Sequence, residues 1–276
     1  MLDDVKRPIG LLDSGVGGLT VAREVFKLLP EEDIIYFGDT LHLPYGPKDL
    51  DLVCDYVEKI IRYLITEKKV KAVVIACNTG TSAALSYMQK IFDIPIFGVI
   101  NGAVEKAVNL SKNSKIALIG TEGTVNSGAY QKAIFNLAEK DQVFARSCPE
   151  FVELVEEGKF TGPEVKSTAE FYLEPLREAG VDVLILGCTH FPYLTAVIAE
   201  VMGAEVKLVN PAYEVAREVK LNLILNNLVR NSAAVSGQHQ FLVSDLSRVS
   251  QDFLQHGREF LQLDELNFKE DNIFRN

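Results

Sequence analysis

The sequence contains no tryptophan, three methionines and only four cysteines among 276 residues. The cysteines are too few and too irregularly spaced to build a disulfide-rich protein. No apolar stretch reaches the roughly 18 residues that a membrane span requires. The first ten residues also lack the basic and then apolar pattern of a signal peptide. We therefore expect a cytoplasmic protein with free thiols and no membrane partner.

Positive charge is also scarce in this chain. Lysine and arginine number 28 against 38 aspartates and glutamates, which gives a net charge of −10. A surface that binds nucleic acid needs clustered positive charge, so we expect no nucleic-acid partner. The remaining composition, 47% hydrophobic and 24% charged, is close to average and excludes disordered and collagen-like chains.

Short apolar segments alternate with helical patterns along the chain. Segment 53–64 has apolar residues at helical spacing, and segment 19–29 predicts a helix that ends before Pro30. The predicted strands are residues 9–13, 34–37, 72–76 and 96–100, followed after a restart by 116–120, 143–146, 183–187 and 205–209. This alternation predicts an α/β fold with mainly parallel sheets flanked by helices.

The restart resembles a weak internal duplication. Residues 9–13 are similar to residues 116–120, and the string that begins at Cys77 aligns with the string that begins at Cys188. Unrelated α/β units share such short strings too, so the letters alone leave duplication open. In both strings, however, the cysteine follows the carboxyl end of a predicted strand, where ligands of open α/β sheets bind.

Duplication implies two pseudo-symmetric domains with the active site in the cleft between them. We expect one domain to comprise residues 1–99 and 209–276, and the other residues 100–208. In the last part of the chain, the pattern predicts helices at 214–225 and 246–261, a polar loop at 226–238 and a strand at 240–244. It makes no prediction for residues 262–276.

A glycine-rich turn, DSGVGG at residues 13–18, follows the first predicted strand. Glycines permit close backbone approach, and the start of a helix offers free N–H groups to an anion. The dinucleotide-binding pattern fails because Thr20 stands where its third glycine is needed. A purely structural turn is the alternative, but an aspartate buried at the end of a strand favours a ligand cleft.

The four thiols have different sequence contexts. Cys77 and Cys188 each precede a helical pattern, and a helix N-terminus lowers a thiol pKa from about 8.5, so we expect accessible thiolates there. Cys54 lies on the apolar face of a predicted helix and has a structural role. Cys148 precedes the predicted helix 150–157, which would lower its pKa as well. No apolar strand precedes it, however, which disfavours a catalytic role. A buried apolar role is the alternative for every one of these cysteines.

The histidines show no zinc-ligand spacing, so we expect no metal site. Cys188 and His190 lie two residues apart on an extended segment, which favours a thiol–imidazole pair over a shared metal. A further loop, with Asp39 and then PYGP at residues 44–47, follows the second strand at the edge where substrates bind.

Seven strings together resemble the glutamate racemases of bacteria, in the aspartate/glutamate racemase family. In chain order they are IGLLDSGVGGLTV, YFGDT with LPYGP, VIACNTG, GVI, LIGTEGT, CPEFVELVEEGKF and LILGCTHFPYL. The similarity covers residues 8–217. It implies a cofactor-independent, homodimeric enzyme that interconverts L- and D-glutamate and supplies D-glutamate for peptidoglycan synthesis.

The resemblance also implies residue roles. Cys77 would handle the α-proton on the D-face of the substrate, and Cys188 the α-proton on the L-face. The implied substrate contacts are Asp13, Ser14, Tyr45, Gly46, Asn78, Thr79, Thr121, Thr124, Thr189 and His190. The implied thiol-tuning groups are Asp39, Glu156 and His190. This chain departs from the family at Gly80, at Glu153 and at residues 210–212.

Two thiols suit this chemistry, since inverting a stereocentre needs a base on one face and an acid on the other. Three alternatives remain open from the residues. An aspartate or hydantoin racemase would share the paired cysteines, and a non-catalytic amino-acid-binding protein would use the same cleft. A cysteine hydrolase needs only one nucleophile and leaves the duplication unexplained.

Overall fold

The computed structural model describes residues 2–230 and 236–275, with strands in two sheets. In chain order the strands are β1 (Ile9–Asp13), β2 (Ile34–Gly38), β3 (Ala72–Ile75), β4 (Ile96–Gly98), β5 (Lys115–Gly120), β6 (Gln142–Ser147), β7 (Val183–Gly187), β8 (Lys207–Val209), β9 (His239–Val243) and β10 (Phe268–Glu270). The first sheet has the order β10-β9-β2-β1-β3-β4, and the second has the order β6-β5-β7-β8. Each neighbouring pair of these strands is parallel, which confirms the predicted sheet type.

Helices flank both sheets, as the alternating pattern predicts. They are α1 (Leu2–Lys6), α2 (Leu19–Leu28), α3 (Leu50–Thr66), α4 (Asn78–Ile91), α5 (Ile100–Leu110), α6 (Glu122–Asn126), α7 (Ala129–Leu137), α8 (Pro149–Glu156), α9 (Pro163–Glu178), α10 (Thr195–Met202), α11 (Pro211–Leu225) and α12 (Gln251–Leu261). Every residue of β1, β2 and β7 is buried, because helices cover both faces of a parallel sheet. Within the described residues, no helix is long and apolar enough to cross a membrane.

The sequence pattern locates most elements and misplaces several ends. The predicted strand 96–100 stops at Gly98, and Ile100 already begins α5. The predicted helix 246–261 is two elements, a short 3₁₀ turn at Leu246–Arg248 followed by α12. The Asp245 side chain accepts from Ser247 N–H and caps the start of the 3₁₀ turn, and the break follows at Val249, whose backbone is extended.

The last part of the chain completes the first sheet. The predicted strand at 240–244 corresponds to β9, which pairs with β2, and β10 adds an outer strand that no sequence pattern predicted. Residues 231–235 of the predicted loop 226–238 lie outside the described residues. Val209 still pairs with Ile185 in the second sheet, and the domain boundaries themselves stay a prediction.

Direct contacts join the loops of the two sheets. The Gly123 N–H donates to the Gly46 carbonyl at 2.7 Å. The Thr20 hydroxyl donates to the carbonyl of Thr189 at 3.0 Å. All four residues follow the carboxyl ends of strands, in loops or in the first turns of α2 and α6, so the same ends of both sheets face one another. The arrangement creates a cleft at the edge where α/β sheets bind ligands.

Candidate active site

A cavity of about 300 Å³ lies between the two sheets. Its lining comes from both halves of the chain: Ser14, Pro44, Tyr45, Gly46, Pro47, Cys77, Asn78, Thr79, Thr121, Glu122, Pro149, Val152, Glu153, Cys188, Thr189 and His190. Both candidate thiols are therefore in one cavity, together with most of the predicted substrate contacts. No lysine or arginine is among the lining residues that the structure describes.

Cys77 caps α4 directly after β3. Its Sγ accepts the Gly80 N–H at 3.3 Å, the bond expected at the start of a helix. Burial, with a smaller contribution from the nearby Asp13, nevertheless raises the pKa of Cys77 to about 12, and the Gly80 N–H and the Ser14 hydroxyl oppose the rise only in part. The expectation of a lowered pKa at this thiol is wrong, because desolvation outweighs one helix terminus.

Cys188 follows β7 and has an imidazole beside it. Its Sγ lies 3.6 Å from His190 Nδ1, and His190 Nε2 lies 2.6 Å from Glu156 Oε1. Burial lowers the pKa of His190, but the bonds to Cys188 and Glu156 outweigh it and hold the pKa well above its ordinary value. The predicted thiol–imidazole pair is present, and Glu156 extends it into a three-residue chain.

Asp13 lies fully buried at the end of β1. Its Oδ2 accepts the N–H groups of Gly15 and Gly18 at 3.2 and 3.0 Å, so these amides bind the protein's own carboxylate rather than a substrate. Its Oδ1 is buried without a hydrogen-bond partner. Burial raises the pKa of Asp13, although the nearby His190 lowers it.

The glycines of the turn allow the two halves of the site to approach. A Cβ atom at Gly17 would lie 2.6 Å from the His190 ring and 2.8 Å from the Thr189 hydroxyl. A side chain at Gly17 would push the second sheet's loop away from the first. This glycine is needed for close packing rather than for binding a phosphate.

Hydroxyl groups form a cluster on another wall of the cavity. Thr79 lies 2.9 Å from Thr121 and 3.3 Å from Thr124, measured between their Oγ1 atoms. Asn78 accepts the Tyr130 hydroxyl at 2.7 Å, a bond that joins α4 to α7. Thr124 is buried behind Thr121 and is not part of the lining. Tyr130 has no local sequence signal and was missed, because only the fold brings it to Asn78.

Asp39 lies behind the loop that carries Tyr45. Its carboxylate accepts the hydroxyls of Tyr45 and Ser244 at 2.7 and 2.8 Å and contacts His42 Nδ1 at 2.9 Å. Within the described residues, Asp39 makes no hydrogen bond to Cys77 or Cys188. Its predicted tuning of the thiols stays a prediction, and its direct contact with the site is through Tyr45.

The other two cysteines lie outside the cavity lining. Cys54 is half-buried in α3 and packs against the core of the first sheet, in line with a structural role. Cys148 is buried, and burial raises rather than lowers its pKa. Among the described residues, no group of three or more histidine, cysteine, aspartate or glutamate side chains could hold a metal ion.

Two acidic residues in the lining, Glu122 and Glu153, were not predicted as site residues. Glu153 occupies a position where the chain departs from the family pattern, and that departure was the sequence signal that could have identified it as a site residue. Gly80, the second departure, lies against Cys77: an added Cβ would be 3.3 Å from the Cys77 Cβ atom.

Comparisons with known proteins agree with this geometry. A model of the family described as Asp/Glu/Hydantoin racemase matches residues 20–219. The chain belongs to this family. It is 45% identical over 255 residues to a glutamate racemase of Geobacter metallireducens, covering 92% of this chain and 93% of that protein.

Solved structures are similar over nearly the full length of the chain. A glutamate racemase of Francisella tularensis, in complex with D-glutamate, has a TM-score of 0.89 at 33% identity and covers 98% of this chain and 99% of its own. An aspartate racemase of Picrophilus torridus has a TM-score of 0.51 at 16% identity over 78% of this chain and 94% of its own, which shows the fold alone. The chain is thus a racemase, an isomerase, with the predicted two-domain α/β fold.

Proposed function

We propose that this racemase interconverts L- and D-glutamate without a cofactor, using Cys77 and Cys188 as its two acid–base groups. One observation carries the proposal: two buried thiols, each at the carboxyl end of a strand in a different sheet, line the same cavity. A binding protein has no need of paired thiols, and a hydrolase needs one. The similarity to glutamate racemases supports the choice of substrate.

The proposed reaction moves one proton off the α-carbon and another onto it. The thiolate of one cysteine takes the α-proton, and the electron pair of the broken C–H bond stays on the substrate as a carbanion. The S–H group of the other cysteine then donates its proton on the opposite face and becomes the thiolate. The two cysteines exchange roles for the reverse reaction, so each direction leaves the enzyme ready for the other.

Substrate binding relies on neutral groups and on Asp13. The hydroxyls of Thr79 and Thr121, the amide of Asn78 and the hydroxyl of Ser14 are the donors that would hold the two carboxylates in a cavity lined by no lysine or arginine among the described residues. Asp13 is fully buried and is not part of the cavity lining, so we propose that substrate binding opens the wall in front of it and that its unpartnered Oδ1 then accepts from the substrate ammonium. This assignment also explains why a costly buried carboxylate stands at the end of β1.

His190 and Glu156 would assist Cys188. A protonated imidazole 3.6 Å from the sulfur stabilises the thiolate, and the Glu156 carboxylate stabilises the imidazolium. Cys77 has no histidine in this role and would rely on the Gly80 N–H and Ser14. We propose as well that the enzyme works in the cytoplasm as a homodimer and that its D-glutamate enters peptidoglycan synthesis.

The test is incubation with L-glutamate in D₂O, using enzyme freed of metals and pyridoxal phosphate. We expect the circular dichroism signal of glutamate to decay to zero and the product to carry deuterium at the α-carbon. L-aspartate, offered at the same concentration, should react much more slowly. Binding of glutamate without any exchange would instead identify a non-catalytic binding protein and overturn the proposal.

The thiol roles are tested in the same assay. Cys77→Ser and Cys188→Ser should each lower racemisation by about 10³-fold or more, because each removes one of the two acid–base groups. Cys54→Ser is the matched control and should retain the parent rate, since that thiol is outside the cavity. A parent-like rate in either of the first two variants would refute the two-thiol mechanism.

A further inference from the structure

The chain segment after β10 packs against the loop that carries Tyr45. The half-buried Phe274 ring meets His42 edge-on, with centroids 4.5 Å apart and an angle of 85°. It meets Tyr56 of α3 in the same way, at 5.9 Å and 81°. His42 in turn stacks on Tyr56 with centroids 4.0 Å apart and an angle of 14°. Phe274 therefore closes a three-ring cluster that holds His42 in one orientation.

The segment that carries Phe274 is itself anchored to the first sheet. The Asp271 N–H donates to the Val243 carbonyl at the end of β9, at 2.8 Å. The Asp271 side chain accepts from the Tyr63 hydroxyl and lies 3.5 Å from the Lys68 ammonium. These contacts to β9 and α3 fix the backbone of the segment against the sheet, so the Phe274 ring is presented from a held position.

A continuous set of hydrogen bonds leads from this cluster to the cavity. His42 Nδ1 lies 2.9 Å from Asp39 Oδ2, and the same oxygen accepts the Tyr45 hydroxyl at 2.7 Å. Tyr45 is 1% exposed, and both it and Gly46 line the cavity. The Gly46 carbonyl also accepts from Gly123 of the opposite domain, so the placement of this loop affects both walls.

We propose that Phe274 is a positioning residue for the active site: it holds His42, and through Asp39 it sets the place of Tyr45 and Gly46 on the cavity wall. Only the kinetic consequence of this proposal depends on the proposed function. Phe274 is far from the site motifs in sequence and touches none of the cavity-lining residues through a recorded ring contact or hydrogen bond. Its effect on Tyr45 must therefore pass through a neighbouring ring: His42, as proposed, or Tyr56, whose ring lies 5.9 Å from that of Tyr45.

The kinetic test is Phe274→Ala. Loss of the two edge-on ring contacts should raise KM for glutamate by about 3- to 10-fold, with kcat changed by less than about 2-fold, because the loop contributes to binding and carries no proton. Phe274→Tyr keeps the ring and should restore the parent KM. Phe135→Ala, which removes a ring exposed on α7, is the matched control and should leave both constants unchanged.

A double-mutant cycle separates positioning from general loss of stability. If Phe274 acts through His42, Phe274→Ala should raise KM much less in a His42→Ala background than in the parent. Equal effects in both backgrounds would overturn the proposal. An equal fall in kcat and in the amount of folded protein, without a change in KM, would also overturn it.

Hydrogen exchange tests the positioning without any reference to catalysis. In Phe274→Ala, the amides of residues 39–47 should exchange faster than in the parent, while those of β5 should not. Unchanged exchange in the loop would refute the positioning role even in an active enzyme. Faster loop exchange in a protein that fails to racemise glutamate would support the positioning role and refute the proposed function instead.

Discussion

The two cavity cysteines occupy equivalent places in their sheets and have unequal neighbours. Each follows a buried parallel strand, and each is 6% exposed. Cys77 has the Gly80 N–H and the Ser14 hydroxyl beside it, both neutral. Cys188 has His190, whose far nitrogen contacts Glu156. The strand positions correspond, whereas the groups beside the two sulfur atoms do not.

The difference shows that a duplicated scaffold does not require duplicated electrostatics. L- and D-glutamate are mirror images with the same free energy in water, so kcat/KM must be equal in the two directions for the parent and for every variant. An unequal site can therefore differ between directions only in kcat and KM taken separately. The variants below are therefore compared by their total loss of kcat/KM, which is the same from either enantiomer.

The largest effect should come from His190→Asn, compared with Ser14→Ala on the opposite side. His190→Asn removes the cation beside Cys188 and should lower kcat/KM by about 10²- to 10³-fold. Ser14→Ala removes one neutral hydrogen bond and should cost about 3- to 10-fold. Both rates are measured by circular dichroism from each enantiomer. Equal losses in the two variants would show that the surroundings of the thiols are chemically equivalent after all.

Asp13→Asn comes next, since Asp13 influences both Cys77 and His190. Loss of the charged partner of the substrate ammonium should lower kcat/KM by about 10- to 100-fold. The free energy of unfolding should rise in the same variant. The folded state holds the Asp13 proton to higher pH than the unfolded chain does, so burying the ionised carboxylate costs stability as the pH rises above the ordinary value of 3.8.

Asp13→Asn should therefore be more stable than the parent at neutral pH, and the advantage should shrink toward pH 4. Urea unfolding at several pH values measures this. A variant that is less stable than the parent at neutral pH would show that the carboxylate contributes net stability through Gly15 and Gly18.

The smallest of the three effects should come from Glu156→Gln. The Glu156 carboxylate helps to raise the pKa of His190, so its loss lowers that pKa and the imidazole loses its proton at lower pH. The stability that the raised His190 pKa contributes is fully present below about pH 6.5, the ordinary pKa of histidine. It is lost as the pH rises through the pKa of His190 in the folded state. We expect a roughly 3- to 10-fold loss of kcat/KM that grows with pH.

Glu157→Gln is the matched control, because Glu157 is exposed and pairs with Lys159 at the surface. NMR titration of His190 in Glu156→Gln should show the lowered pKa directly. An unchanged His190 titration would show that Glu156 does not support the imidazolium.

Local patterns predicted the strands, their parallel pairing and the position of Cys77 and Cys188 after two strands, because each of these depends on neighbours in the chain. Buried strands such as β1 and β7 are short apolar runs, and a parallel sheet brings their carboxyl ends to one edge. The prediction for the Cys77 pKa failed because burial is a property of the whole fold. The break between Leu246–Arg248 and α12 was missed because the apolar spacing continues across Val249, whose backbone is extended.

The amino-acid sequence alone was enough to indicate the α/β class, the duplicated cysteine strings and the racemase family. Only the tertiary structure brought Cys77 and Cys188 to one cavity, joined Glu156 to His190 and placed Phe274 against His42. These contacts join residues far apart in the chain, and their geometry depends on how the two sheets and the last strand pack. Desolvation inside that packing, rather than any local motif, raised the pKa values of Cys77 and Asp13.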